Sequence, residues 1–215
     1  EWYDEDLNPL FNGPEGVAAI EMMQELYSYM PEAALSYTND DSMVLMQTGE
    51  AAVSIIWAAR AARMDDETSS TVVGKVSYAA APIITEGNPP WSYQGQDVLC
   101  IPHNVAIDPE TAFIALAEMT SKAAMAEVGK VQVVTRASAL TDDVLAAHPD
   151  YQASFDTSAL GPVGFSGYEF TTATESIIGT RVAEALTGDR TPQEALDLAA
   201  QEVTDLLIDM GYKTA

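Results

Sequence analysis

Acidic residues dominate the charges of this 215-residue chain: 33 acidic residues against 9 basic ones give a formal net charge of −24. The chain has no basic cluster to neutralise phosphates, which argues against binding to nucleic acid or anionic lipid. Hydrophobic residues make up 47 %, which predicts a packed core rather than wholesale disorder. Such a charge is typical both of proteins from salty habitats and of ordinary acidic secreted proteins, and it does not separate the two.

Cys100 is the single cysteine, which excludes an intramolecular disulfide and a cysteine-based metal site. Its apolar neighbours Val98, Leu99 and Ile101 predict a core residue rather than a reactive thiol. No run approaches the about 20 apolar residues that a membrane-spanning helix needs. The chain begins at Glu1 without a signal peptide, as a processed piece would, so its destination stays open at this point.

Helix signals and a few strand signals fill the first half of the chain. Pro14 stands in the first turn of a predicted helix that is capped by Asn12 or Gly13 and ended by Pro31. The apolar spacing further predicts helices over 42–48 and 58–64, and short strands over 51–56, 75–81 and 98–101. Turn residues surround the aromatic and amide side chains of residues 85–97, which predicts a loop.

The pattern of the second half of the chain predicts mainly helices. They cover 109–119, a second stretch that follows and ends at 128, and then 142–147, 149–155 and about 169–187. Thr191-Pro192-Gln193-Glu194 is a capping box that opens a last helix, which ends at Gly211. Helices with such apolar faces usually cover a fuller sheet than these short strands provide. We therefore expect part of the sheet to lie outside this chain.

Catalytic motifs are scarce in the sequence. The two histidines, His103 and His148, each adjoin a proline and lie outside any Gly-x-Ser-x-Gly elbow. A phosphate-binding glycine loop and zinc-type spacing are absent, and the pair Asp65-Asp66 is interpreted as solvated surface. The paired carboxylates of a carbohydrate-active hydrolase stay an open alternative, because 33 acidic residues make no single pair specific.

Aromatic side chains in loops and at element ends are the remaining candidates for ligand contacts. They are Trp57 at the end of a predicted strand, Trp91 and Tyr93 in the 85–97 loop, and Phe165 and Tyr168 around Gly167. Aromatic faces cover the C–H surface of a sugar ring, while amides and carboxylates bind its hydroxyls. Each of these rings, taken singly, is better explained as a cap over the core, so the pattern alone does not establish a ligand site.

Five segments in chain order resemble the bacterial extracellular solute-binding proteins of ABC transporters, in the sugar-binding group that includes maltose-binding protein. They are PLFNGPEGV at 9–17, GEAAVSIIW at 49–57, PETAFIAL at 109–116 with TSK at 120–122, RASAL at 136–140, and ALTG at 185–188 with TPQEAL at 191–196. The resemblance extends over the whole chain but corresponds only to the later half of such a protein.

The resemblance implies a helix-rich α/β architecture, a partial periplasmic-binding-protein type II fold. Residues 1–97 would form the first part of the C-terminal lobe, residues 98–147 would cross to an incomplete N-terminal lobe, and residues 148–215 would return as closing helices. Because helix 109–120 would lack the sheet it normally covers, we expect the isolated chain to expose apolar surface and to self-associate.

The resemblance also implies which side chains contact ligand. Trp57 matches a sugar-stacking tryptophan, and Gln96 lies at the turn before the crossing segment. Tyr168 and Phe165 match late aromatics that approach the cleft. Asp40 precedes helix 42–48, in a segment that contributes hydroxyl contacts. With Trp91 and Tyr93 from the loop, these residues make up the predicted ligand site.

The implied function is that of a non-catalytic substrate-binding component of an ABC importer, without metal or cofactor. It would capture a sugar or polyol between two lobes and deliver it to permease subunits in the membrane, in the periplasm or outside the cell. Nucleic acid is not an expected partner. The carbohydrate-active hydrolase and a protein-interaction module remain the alternatives from other classes.

Overall fold

The computed structural model describes residues 2–90, 92–94, 98–164 and 167–214. Its helices are α1 (Pro14–Tyr27), α2 (Asn39–Thr48), α3 (Ala58–Ala61), α4 (Pro109–Met119), α5 (Lys122–Val128), α6 (Asp142–Ala147), α7 (Pro149–Ala159), α8 (Thr171–Thr187) and α9 (Pro192–Asp209). Strands β1 (Tyr93–Gln94) and β2 (Val163–Gly164) pair in parallel. Short 3₁₀ turns cover Ala34–Ser36, Ala62–Asp65 and Ala137–Ala139. In the described part of the chain, no helix is both long and apolar enough to cross a membrane.

Local capping chemistry sets where several helices begin. Pro14 occupies the first turn of α1, whose N-cap is Gly13 without a side-chain cap bond. Helix α2 begins at Asn39, earlier than the predicted residue 42, because Thr38 and Asp41 form a reciprocal capping box. Asp108 caps α4, since its carboxylate accepts a hydrogen bond from the backbone N–H of Thr111 at 2.9 Å.

The predicted strands over 51–56, 75–81 and 98–101 are wrong, since none of them is a strand in the structure. A strand needs a neighbouring strand for its backbone hydrogen bonds. The described residues supply none to these segments, and Val53 is 84 % exposed. The prediction of Cys100 as a core residue is also wrong, because Cys100 is exposed together with Val98 and Leu99.

The chain divides into two compact units, Glu1–Tyr37 with Ser166–Ala215 and Thr38–Phe165. These units are defined by packing within the chain and do not test the predicted lobe boundaries at residues 97 and 147, which stay predictions.

The unit formed by Glu1–Tyr37 and Ser166–Ala215 is a packed group of three helices, α1, α8 and α9. Two apolar clusters hold it together. The first consists of Phe170, Ile178, Ala199, Val203 and Leu207. The second consists of Ile20, Ala185, Ala195 and Leu196. Charged bonds tie α8 to α9, because the Arg181 guanidinium donates to both carboxylate oxygens of Glu202, at 3.0 and 2.6 Å.

The unit Thr38–Phe165 relies more on buried side chains that bind backbone groups. The Gln47 amide of α2 is buried and donates to the Arg63 carbonyl at 2.8 Å. The Tyr151 hydroxyl of α7 is buried and donates to the Gly129 carbonyl at 3.0 Å. The short helix α3, which consists mainly of alanine, packs against the longer α7. The packing of α3 against α7 supports the position of Trp57, the predicted site residue that is the N-cap of α3.

Replacing Thr191 with alanine is expected to lower the free energy of unfolding by about 1 kcal/mol at neutral pH, because α9 loses its capping box. The Thr191 backbone N–H and hydroxyl both donate to Glu194, and these bonds lower the pKa of Glu194 below its ordinary 4.5. That carboxylate therefore contributes stability above pH 4.5, which is lost as the pH falls further. Denaturant unfolding at neutral and acidic pH measures the effect. The difference in the free energy of unfolding between Thr191→Ala and the unmodified protein should become smaller at acidic pH.

A matched control for the cap is Thr180→Ala in α8, where the hydroxyl only bonds back to the Ser176 carbonyl of the same helix. At this exposed position the substitution should leave the free energy of unfolding unchanged or raise it slightly, because alanine is the better helix former. Equal destabilisation by the two substitutions would contradict a role of the Thr191 cap.

Candidate ligand-binding site

Two of the predicted ligand residues, Trp57 and Asp40, are brought together through Arg60. The Arg60 guanidinium lies over the Trp57 ring, 4.6 Å from the ring centroid, and its Nε donates to Asp40 Oδ1 at 2.7 Å. A guanidinium over an indole face is a favourable cation–π arrangement. All three residues belong to the Thr38–Phe165 unit.

The local sequence explains this cluster. Trp57 has extended backbone angles and is the N-cap of α3, so Arg60 follows it one helical turn later. Residues three apart lie on the same helix face, which places the guanidinium beside the indole. Asp40 lies in the first turn of α2, which the Thr38 capping box fixes. Arg60 is the residue that sequence reasoning missed, and its position three residues after Trp57 is the signal that indicates it.

The cluster offers the groups that a hydroxylated ligand needs. Trp57 is 53 % exposed, so its indole presents apolar surface to solvent. Within the described residues, the Arg60 guanidinium donates a hydrogen bond through Nε only, which leaves both of its NH₂ groups as potential donors. Asp40 stays largely exposed and has acceptor capacity beyond its bond with Arg60. The ion pair also neutralises the net charge of the two side chains, which suits an uncharged ligand.

Tyr168 belongs to the other unit, where it caps the aromatic part of the core. Its ring stacks on Phe170, with centroids 4.8 Å apart and an interplanar angle of 9°. Tyr3 contacts both rings edge-on. Because Tyr168 is nevertheless 52 % exposed, its outer face is open to a ligand. The structure thus gives Tyr168 a packing role and leaves its predicted ligand contact a prediction.

The remaining predicted site residues come from the two loop regions. Tyr93 is in β1, where its backbone pairs with Val163 of β2, and Gln94 pairs with Gly164. Trp91, Gln96 and Phe165 lie outside the described residues. Their ligand contacts, and that of the Tyr93 side chain, therefore stay predictions. In the part of the chain that is described, no three His, Cys, Asp or Glu side chains are grouped as a metal site.

Comparison with known proteins gives the family. The family model described as "Bacterial extracellular solute-binding protein" matches residues 1–126. The chain belongs to this family. The solute-binding chain is also 27 % identical to the mannitol-binding protein of Pseudomonas aeruginosa, over 98 % of its own length and 52 % of that protein. It thus spans about half the length of the curated relative that it matches, as the resemblance to a later half predicts.

Solved structures of solute-binding proteins share the fold. Maltose-bound MalE3 of T. maritima superposes with a TM-score of 0.83 at 24 % identity, covering 96 % of this chain and 54 % of that one. An ABC transporter solute-binding protein from Agrobacterium radiobacter K84, in complex with ribitol, gives a TM-score of 0.80 at 28 % identity, covering 96 % and 53 %. The predicted helix-rich, partial periplasmic-binding-protein fold is therefore confirmed.

Proposed function

We propose that this solute-binding chain is the sugar- or polyol-binding later half of a substrate-binding component of an ABC importer. The cluster of Trp57, Arg60 and Asp40 carries the proposal, because it combines an exposed indole with hydrogen-bond donors and acceptors. The names of its relatives support it: one binds mannitol, and two solved structures hold maltose and ribitol.

In the proposed mechanism, the Trp57 indole covers C–H groups of the ligand. The NH₂ groups of Arg60 donate to ligand hydroxyls, and Asp40 accepts from them. Gln96, Tyr93, Trp91, Phe165 and Tyr168 would line the rest of the cleft. Closure of two lobes would exclude water from these bonds, and the closed form would be presented to permease subunits in the periplasm or outside the cell.

The uncharged character of the proposed ligand follows from the charges around the cluster. Arg60 is neutralised by Asp40, and the whole chain carries −24. An anionic ligand would be repelled by that field, whereas a polyol or sugar is indifferent to it.

A thermal-shift screen of the full-length protein tests the proposal. Mannitol, ribitol, maltose and glucose are compared with glycine and glutamate at equal concentrations. A ligand at a free concentration 100 times its Kd stabilises the folded state by about 2.7 kcal/mol, which raises the midpoint of thermal unfolding by several degrees. A shift with one polyol or sugar and none with the amino acids is expected. No shift with any of the carbohydrates would contradict the proposal.

Replacing Arg60 with lysine is expected to weaken ligand binding several-fold and to change the fluorescence of Trp57. Lysine keeps the charge but loses the planar group that stacks on the indole and the Nε donor to Asp40. Arg63→Lys is the matched control, because Arg63 is largely exposed and approaches Asp66 only at 3.9 Å. Calorimetric titration of the full-length protein measures the ligand affinity of each variant. Equal affinities in the two variants would contradict a role for Arg60.

The chain on its own is expected to self-associate. On α4, Phe113 is 64 % exposed, and Ile114 and Met119 are exposed as well. Exposed large apolar side chains favour association in water. Sedimentation velocity over a range of concentrations should show species larger than a monomer, and a monomer at all concentrations would contradict the expectation. Phe113→Ser should reduce the association.

A further inference from the structure

Gln47 is a buried polar side chain on the face of α2 that also carries Asp40. The two residues are seven positions apart, which places them on the same face of the helix. Asp40 contacts Arg60 of α3 near the beginning of α2, and Gln47 lies near the end of α2. Gln47 is only 5 % exposed, so its amide needs hydrogen-bond partners within the protein.

The Gln47 side chain binds the segment that follows α3. Its amide nitrogen donates to the Arg63 carbonyl at 2.8 Å and to Ser69 Oγ at 3.0 Å. A carbonyl oxygen only accepts, so the nitrogen and not the oxygen of the amide faces Arg63. Ser69 donates its own hydroxyl hydrogen to Asp66 Oδ2 at 2.9 Å, which agrees with Ser69 accepting from Gln47. Both amide hydrogens of Gln47 are thus engaged.

The backbone carbonyl of Gln47 is bound by the same segment. It is one of the last four carbonyls of α2, which lack a partner within the helix. The Thr71 backbone N–H donates to it at 2.8 Å, and the Thr71 hydroxyl donates to it at 2.9 Å. The segment 63–71 therefore holds this one residue of α2 by both its side chain and its carbonyl.

These buried bonds connect α2 to α3 more firmly than the ion pair does. Arg63 lies in the 3₁₀ turn Ala62–Asp65, which follows α3 directly and comes one turn after Arg60. The Asp40–Arg60 pair is partly exposed, and exposed ion pairs order two long side chains only weakly. Opening the Gln47 bonds would instead leave a buried amide without partners, which is strongly unfavourable.

We propose that Gln47 is a positioning residue of the ligand site, because its bonds to the segment after α3 hold Arg60 where it meets Asp40 and covers the Trp57 ring. A guanidinium and a carboxylate that are already in place need less ordering when a ligand binds, and this strengthens binding. The consequence for ligand affinity rests on the proposed function, whereas the consequence for the Arg60–Asp40 bond does not.

Nuclear magnetic resonance of the full-length protein without ligand tests the proposal. The side-chain Nε–H signal of Arg60, identified by its loss in Arg60→Lys, reports on the bond to Asp40. Gln47→Met removes the amide donors at similar volume. Exchange of the Arg60 hydrogen with water should become about tenfold faster, because the bond to Asp40 opens more often. Unchanged exchange would overturn the proposal.

Tyr151→Phe is the matched control. It also removes a buried hydrogen bond to a backbone carbonyl of this unit, but that bond leads to Gly129 and not to the segment after α3. Exchange of the Arg60 hydrogen should stay unchanged in this variant. Equal acceleration in Tyr151→Phe and Gln47→Met would overturn the proposal, since Gln47 would then act only through general stability.

Two further variants connect Gln47 with the ion pair. Asp40→Ala removes the acceptor of the Arg60 hydrogen, so adding Gln47→Met to it should accelerate exchange little further. Full additivity would overturn the proposal. If circular dichroism shows that Gln47→Met does not fold, Ser69→Ala decides, because it removes one acceptor of the Gln47 amide at an exposed position. Exchange should again accelerate, and unchanged exchange would overturn the proposal.

Ligand titrations separate this inference from the proposed function. The full-length protein and its variants are titrated with mannitol, ribitol, maltose and glucose. Gln47→Met should bind whichever of them the unmodified protein binds about fivefold more weakly than Tyr151→Phe does. Equal affinities in the two variants would overturn the role of Gln47 in ligand binding. If the unmodified protein binds none of the carbohydrates, the proposed function fails, and the exchange of the Arg60 hydrogen still decides whether Gln47 positions Arg60.

Discussion

Replacing Phe170 with alanine is expected to lower the free energy of unfolding by about 3–5 kcal/mol, the range for removing a fully buried aromatic side chain. Phe170 is buried in the first apolar cluster, where it stacks on Tyr168 and contacts Tyr3 and Tyr212 edge-on. Its loss would leave a cavity beneath three rings and beside α9. Chemical denaturation followed by circular dichroism measures the effect.

Tyr168→Ala is the matched control for this prediction. Tyr168 belongs to the same stack but is half-exposed, so its removal should cost far less stability, about 1 kcal/mol for the lost ring contact. Equal losses in the two variants would show that Phe170 is not the centre of this core. The comparison also prepares Tyr168→Ala for ligand titrations, because a variant that stays folded reports on binding alone.

Replacing Trp57 with alanine is expected to weaken polyol or sugar binding by the full-length protein at least tenfold, which corresponds to about 1.4 kcal/mol. The indole presents exposed apolar surface to the proposed site, and its loss also removes the ring over which Arg60 lies. Stability should change little, because Trp57 is half-exposed. Calorimetric titration with the ligand found in the thermal-shift screen measures the affinity.

Trp2→Ala is the matched control for Trp57→Ala. Trp2 is exposed to a similar extent, but it packs beside Phe11 in the other unit. Binding by Trp2→Ala should equal that of the unmodified protein. Unchanged affinity in Trp57→Ala would remove Trp57 from the site, and equal weakening in both variants would indicate a general effect on the fold.

Helix boundaries followed from the sequence where the decisive groups are close in the chain. Pro14, Asp108 and the Thr191 capping box each act within one helical turn, so their spacing in the sequence is sufficient to predict where the helix begins. Helix α2 begins at Asn39, three residues before the predicted start, because Thr38 and Asp41 form a capping box ahead of the apolar spacing. The predicted strand over 51–56 failed for another reason: a strand is stable only with a partner, and its own sequence does not contain one.

The candidate site was partly predictable. The sequence and the family resemblance indicate Trp57 and Asp40, and the structure joins them through a third residue. Arg60 could not be recognised from composition, because its role depends on the N-cap position of Trp57 and on the distance between α2 and α3. The burial of the Asp150 side chain on α7 depends on how α7 packs against α3, and its place in the sequence two residues after His148 does not reveal it.

The distance along the chain between α1 and its packing partners has a consequence for synthesis. A ribosome makes α1 before α8 and α9, which cover its apolar face and emerge only after the whole of Thr38–Phe165. Until then Ile20 and its neighbours have no native cover, and exposed apolar surface during translation invites chaperone binding or aggregation. Co-translational folding of this helical group must therefore wait for α9, while α2, α3 and α7 are free to pack earlier.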